Sequence, residues 1–124
     1  MKKVAELIGA ELDLWVAKAT ELDCRVVFCE KCDEVVCQVQ DPIDLGVFHE
    51  YSPSKDWAAA GHIIHREKIN LIWYKGLWRA EIYFYPKPLS RKEAIGIQCT
   101  DDLPLIAAMR CFVASKFGEE VADD

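Results

Sequence analysis

One hairpin pattern constrains this chain more than any other feature. Residues 71 to 85 alternate around Lys75-Gly76. If those two residues form the turn, Trp73 faces Trp78 and Leu71 faces Ala80. Trp78, Ala80, Ile82 and Phe84 then share one face of the second strand, and Arg79, Glu81, Tyr83 and Tyr85 share the other. An apolar face backed by a polar one is the mark of a half-buried antiparallel strand. Pro86 and Pro88 stop it. Such a sheet needs an apolar cover, which restricts the fold to sheets packed by helices or by further sheets.

Helices are available. Val4, Ile8, Leu12, Trp15, Ala19 and Leu22 recur at helical spacing and predict an amphipathic helix over about 3–21, with Gly9 able to split off residues 3–8. Ser, Asp and Pro residues at 52–56 supply successive N-caps, and a short helix is predicted from Trp57 to about Lys68, with Gly61 as a possible break. Asp101 and Asp102 precede a last helix from Leu103 to Phe117, which Gly118 stops. Its Leu105, Ile106, Met109, Phe112, Val113 and Phe117 fall in one broad stripe.

Two β-branched runs, at 25–28 and 35–39, predict a second hairpin. A turn at Glu30-Lys31 would pair Cys29 with Cys32 and Cys24 with Cys37. A loop at 41–46 leads to a third short strand at 47–51. Residues 89–94 read as a polar loop and 95–100 as another strand. The 124 residues suit one core. The expected fold is α+β: a single domain at 1–118, with a mainly antiparallel sheet of about four to five strands, N-terminal and C-terminal helices and a short central helix. Residues 119–124 read as an acidic tail.

Net charge is −6, which opposes a phosphate backbone, so no duplex nucleic acid is expected as a partner. The stretch 55–93 carries eight Lys/Arg against four Asp/Glu, so the remainder holds −10. Glu6, Glu11 and Asp13 interrupt any apolar leader after Met1-Lys2-Lys3, and no apolar run nears the ~20 residues of a membrane span. The expected location is the host cytoplasm, off the membrane, where six cysteines are reduced thiols.

Cys24, Cys29, Cys32 and Cys37 lie within 14 residues, and Cys-x2-Cys is a common zinc spacing. The hairpin places Cys24 and Cys29 on opposite faces, roughly 17 Å apart along a strand. One zinc reaches about 2.3 Å to each sulfur, so no metal site is expected here, and redox chemistry is the other alternative to ordinary thiols. His62 and His65 would neighbour each other on a helix, but Glu67 is the only added ligand nearby. Ser52, Ser54 and Ser115 lack a nucleophile elbow, and the glycines form no phosphate loop. No catalytic residue and no cofactor are expected.

The best candidate binding site is Ser52, Ser54, Lys55, Asp56 and Trp57. Hydroxyls, a cation and an indole gather where a helix N-terminus presents free N–H groups, and Arg110 could add charge. The structural alternative has Ser and Asp capping the helix and Trp57 packed in the core. The aromatic hairpin, with Tyr74, Tyr83 and Tyr85 on its polar face, is a second possible contact surface.

Three stretches resemble the NinX-like family of phage proteins: Leu7-Ile8-Gly9-Ala10-Glu11-Leu12-Asp13-Leu14-Trp15-Val16-Ala17-Lys18-Ala19, then Tyr51-Ser52-Pro53-Ser54-Lys55-Asp56-Trp57-Ala58 running on to Ile63-Ile64, and Pro104 through Gly118. They keep the family's order. The chain departs at Leu103, at Ala60-Gly61-His62 and at His65, and the cysteine cluster lies outside the family pattern. The resemblance implies a phage or prophage source and no activity. The expected function is a non-enzymatic accessory protein that binds a host or phage protein. The alternative is a small-molecule binder that sequesters an anionic nucleotide-type ligand.

Overall fold

The computed structural model describes residues 1–83 and 96–122. The expectations placed on Phe84, Tyr85, Pro86, Pro88 and residues 89–95 lie outside the described residues. In chain order the elements are β1 (Lys2–Lys3), a 3-10 turn (Val4–Glu6), α1 (Gly9–Ala19), β2 (Cys24–Cys29), β3 (Glu34–Gln40), β4 (Phe48–Glu50), α2 (Trp57–Glu67), β5 (Asn70–Tyr74), β6 (Leu77–Tyr83), β7 (Gly96–Asp101), α3 (Pro104–Phe117) and β8 (Glu120–Val121).

The class is α+β, with antiparallel pairing throughout the described strands. The strands divide into three sheets, β1-β8, β2-β3-β4 and β5-β6-β7, rather than one. The division follows from what each sheet packs on: α1 lies on β2 and β3, while α3 lies on β6 and β7. With α2 inserted between β4 and β5, neither three-stranded unit needs the other's edge.

The first helix is shorter than its spacing suggests. Gly9 has φ +56°, a left-handed value that costs glycine little. The chain kinks there, so residues 4–6 form a separate 3-10 turn. At the far end the Thr20 hydroxyl donates to the carbonyls of Val16 and Ala17 and closes α1, which leaves Leu22 outside it. The helix α2, in contrast, runs through Gly61 unbroken.

The two hairpins differ in how legible their turns were. Lys75 and Gly76 both take positive φ, +52° and +84°, the requirement of a type I′ turn. Trp73 pairs with Trp78 and Leu71 with Ala80, as expected. In the β2-β3 hairpin, however, Cys29 pairs with Glu34 and Cys24 with Val39. Four residues, 30–33, make the turn instead of two. Neither Glu30 nor Lys31 favours the left-handed conformation, and Asp33 adopts it at φ +54°.

The core centres on α3. Burial runs unbroken from Ala107 to Ala114, wider than the single stripe read from spacing, and Phe117, 42% exposed, packs edge-on against Trp15. Ala107, Ala108, Cys111 and Ala114 are small enough to admit neighbours on several sides. Those neighbours are β6, β7, α1, α2 and the 3-10 turn. Leu7, Leu12, Val16, Met109, Phe112 and Val113 fill the space between them. The acidic end is drawn into the fold: β8 pairs with β1 and Val121 is buried.

Candidate functional site

The 52–57 loop is held from inside. Tyr51 donates its N–H to the Cys37 carbonyl and so leaves the edge of β3 in a set direction. The amides of Lys55 and Asp56 both donate to the Ser52 carbonyl. Asp56 is the N-cap of α2, with extended backbone and a carboxylate that accepts the Ala58 N–H at 3.0 Å. Pro53 is fully buried. Ser54 is also buried, and it reaches across to α1: its N–H donates to Asp13 Oδ1 at 2.8 Å and its hydroxyl to Oδ2 at 3.0 Å.

From sequence, Asp13 stands out only as a charge that interrupts an apolar leader. It is 3% exposed, and burial pushes its carboxyl up to about 6 against the opposing pull of the Ser54 bonds. No spacing marks it out, because it sits between Leu12 and Leu14 on an ordinary helix and its partner lies 41 residues away.

These bonds sort the candidate residues. Ser52, Ser54 and Asp56 shape the loop and cap α2. The amides of Lys55, Asp56 and Ala58 are already satisfied within the chain, so they are not free donors for an anion. Arg110 is buried in α3, where Nε donates to the Leu7 carbonyl at 2.8 Å and Nη1 to Asp101 Oδ1 at 3.0 Å. Its hydrogen bonds go to the 3-10 turn region and the end of β7, not to the loop. Lys55 and Trp57 face solvent. Trp57 is 56% exposed, against the alternative that it packs in the core.

Lys55 joins the loop to the first hairpin, its Nζ lying 3.5 Å from Glu34 Oε1 at the start of β3. Next to Glu34 in sequence is Val35, which pairs with Phe28 across the hairpin. Phe28 is 59% exposed and Val35 52%. The sequence marked both as strand residues but held no sign that this end of the hairpin stays open to solvent.

The second hairpin also ends in exposed rings, Trp73 and Tyr74, with Trp73 stacked edge-on against Trp78 at 5.4 Å and Lys75 over the Tyr74 ring. The histidines are dispersed: His62 and His65 are exposed on α2, and His49 pairs with Asp41 at 2.9 Å. The Asp44 N–H, followed by that contact and the Ile43 N–H, holds the Asp41 carboxyl down to about 2. A cavity of about 420 Å³ opens where β1, β7, the end of α3 and β8 meet. Lys3, Gln98, Cys99, Glu119 and Glu120 are among its lining residues, a set with more acid than base and no aromatic ring. Among the described residues no helix is long and apolar enough to cross a membrane.

The stretches that carried the phage resemblance correspond to α1, to the loop leading into α2, and to α3 with its stop. These are the elements joined by the Ser54–Asp13 and Arg110–Leu7 bonds. No curated protein matches the chain. The family model described as Bacteriophage P22, NinX matches residues 3–116, so the chain belongs to the phage P22 NinX family.

Proposed function

We propose that this phage protein is a non-enzymatic accessory protein that binds a host or phage protein in the host cytoplasm. The proposed surface is the free end of the β2-β3 hairpin together with the exposed part of the 52–57 loop. The observations that support this reading are an apolar cross-strand pair left open to solvent, Phe28 and Val35, and the exposed Trp57 of the loop whose Lys55 reaches Glu34 on the other face of the same strand end. Large apolar side chains left open at a surface are candidates for contact, and buried aromatics dominate interface energetics. The Glu34–Lys55 pair gives that surface a polar rim.

The test is quantitative capture from host lysate with the wild-type chain and with a Phe28→Ser, Trp57→Ala variant. A partner retained by the wild type and depleted about tenfold by the variant, at unchanged melting temperature, supports the surface. Equal capture by both overturns it. Native mass spectrometry of the same preparation covers the other class: a retained anionic metabolite lost in Lys55→Ala would replace the protein partner with a small ligand.

A further inference from the structure

The six cysteines are free thiols that differ in exposure, from buried Cys37 and Cys111 through half-buried Cys24, Cys29 and Cys99 to exposed Cys32. Cys37 is buried beneath α1, and burial pushes its thiol up to about 12. Cys111 is buried in α3, where it meets the thiol of the largely covered Cys99 and directs its Sγ at the Ile97 carbonyl. Cys29 and Cys32 are unlike these. They stand at the end of β2 and in the turn that follows, and Cys32 is open to solvent. Their sulfurs are 2.9 Å apart. The Cys32 backbone N–H also points at Cys29 Sγ, at 3.4 Å. Among the described residues no third His, Cys, Asp or Glu completes a metal-binding group with them.

We propose that Cys29 and Cys32 form a covalent site for thiol–disulfide exchange whose substrate is a small cationic disulfide. Cys29 is the attacking sulfur, because the Cys32 backbone N–H donates to it at 3.4 Å and stabilises a thiolate. The contact between the two sulfurs, with that N–H, holds the Cys29 thiol below its usual range, and the same sulfur contact holds the Cys32 thiol above it. The Cys29 thiolate bonds to one sulfur of R–S–S–R, the R–S–S–R bond breaks, and the departing thiolate takes the proton that Cys29 released. Cys32 then loses its proton, bonds to Cys29 Sγ and expels the second R–S⁻, which that proton neutralises. Two protein thiols are oxidised to one disulfide, and one R–S–S–R is reduced to two R–SH.

The two sulfurs are already adjacent, and the exposed Cys32 sits on the turn, so closing the pair asks movement of the turn rather than of the core. The ring closed is very short, so the bond adds little constraint to the unfolded chain and serves poorly as a structural staple. Charge selects the substrate. Glu30, Asp33 and Glu34 flank the pair, Glu50 adds further negative potential, and of the nearby Lys31 and Lys55 the latter is engaged by Glu34. A cationic disulfide is drawn to that surface and an anionic one repelled.

The experiment treats the fully reduced chain with cystamine, a dication, or with glutathione disulfide, a net anion, and follows each cysteine by peptide mass spectrometry. The expected result is loss of two hydrogens in the Cys29–Cys32 peptide about tenfold faster than modification at Cys24, Cys37, Cys99 or Cys111. Cystamine should react faster than glutathione disulfide, and added salt should shrink the difference. Cys32→Ser should trap a mixed disulfide on Cys29, and Cys29→Ser should leave Cys32 reacting about tenfold more slowly. Stable single adducts on both cysteines of the wild type, equal rates for Cys29→Ser and Cys32→Ser, or no preference for cystamine would overturn the proposal.

Discussion

Ser54 grips both oxygens of Asp13, through its backbone N–H at 2.8 Å and its hydroxyl at 3.0 Å, in a region closed to water. The contact ties the loop that starts α2 to the middle of α1. Burial holds the Asp13 carboxyl up to about 6, above its ordinary value of 3.8. The folded chain therefore keeps a proton there that the unfolded chain gives up at lower pH. The contribution is fully present below about pH 4 and is lost as pH rises through 6, on the order of 3 kcal/mol in all. Urea unfolding of wild type and Asp13→Asn across pH 4 to 7 isolates it, since the amide does not titrate. Wild type should lose stability relative to the variant over that window, and a difference independent of pH would contradict the assignment.

Arg110 was expected to lend charge to a binding loop, and its bonds instead join the Leu7 carbonyl and Asp101. With 7% of the residue exposed, removing the guanidinium strands two acceptors. Arg110→Ala should destabilise the chain by about 3–5 kcal/mol. Arg110→Lys should recover only part of this, because an ammonium does not reproduce the planar fork. Thermal melts of the two variants decide it. Full recovery by lysine would show that charge alone matters.

Phe112 sits at the centre of the core with no exposed surface. Phe112→Ala should cost about 3–5 kcal/mol, through lost burial and an uncollapsed cavity. Phe117→Ala, at the exposed end of the same helix, should cost far less. Denaturant midpoints of the pair would expose an error if the two losses were equal.

Val121 anchors the acidic end, and the Val4 N–H donates to the Glu119 carbonyl at 2.9 Å beside it. Deleting residues 119–124 should lower stability by about 2–3 kcal/mol, mostly from exposing Val121 and the surface it covers. Val121→Thr in the intact chain, similar in size but polar, should reproduce part of the loss. A truncated chain that melts with the wild type would make this end dispensable.

Lys55 separates capping from binding. An ammonium has no acceptor for a helix N–H, and its 3.5 Å pairing with Glu34 is exposed. Lys55→Ala should change stability by less than about 1 kcal/mol, whereas Asp56→Ala should cost about 0.5–2 kcal/mol through the lost cap. Lys55→Ala and Trp57→Ala should nevertheless weaken partner capture. If only Asp56→Ala affects capture, and does so in step with melting, the loop is the structural entrance to α2 alone.

Local signals determined much of this protein. Helical spacing marked α1 and α3, and the Ser-Pro-Ser-Lys-Asp run marked the start of α2 at Asp56. Lys75-Gly76 set the register of β5 and β6, because only a turn with two positive φ values matches the twist of the strands it joins. Each signal acts over a few residues, within reach of backbone preference. Tertiary structure decided the rest. It chose three sheets over one, since which helix covers which strands depends on the whole packing. It spent Ser54 and Arg110 on partners 41 and 103 residues distant, and buried Asp13 with no local cue. It set the β2-β3 turn at four residues, which brought the Cys29 and Cys32 sulfurs together in place of a strand pairing. It also left Phe28, Val35 and Trp57 facing water. Sequence pattern identifies apolar side chains, but only the finished packing shows which ones have no neighbour to cover them.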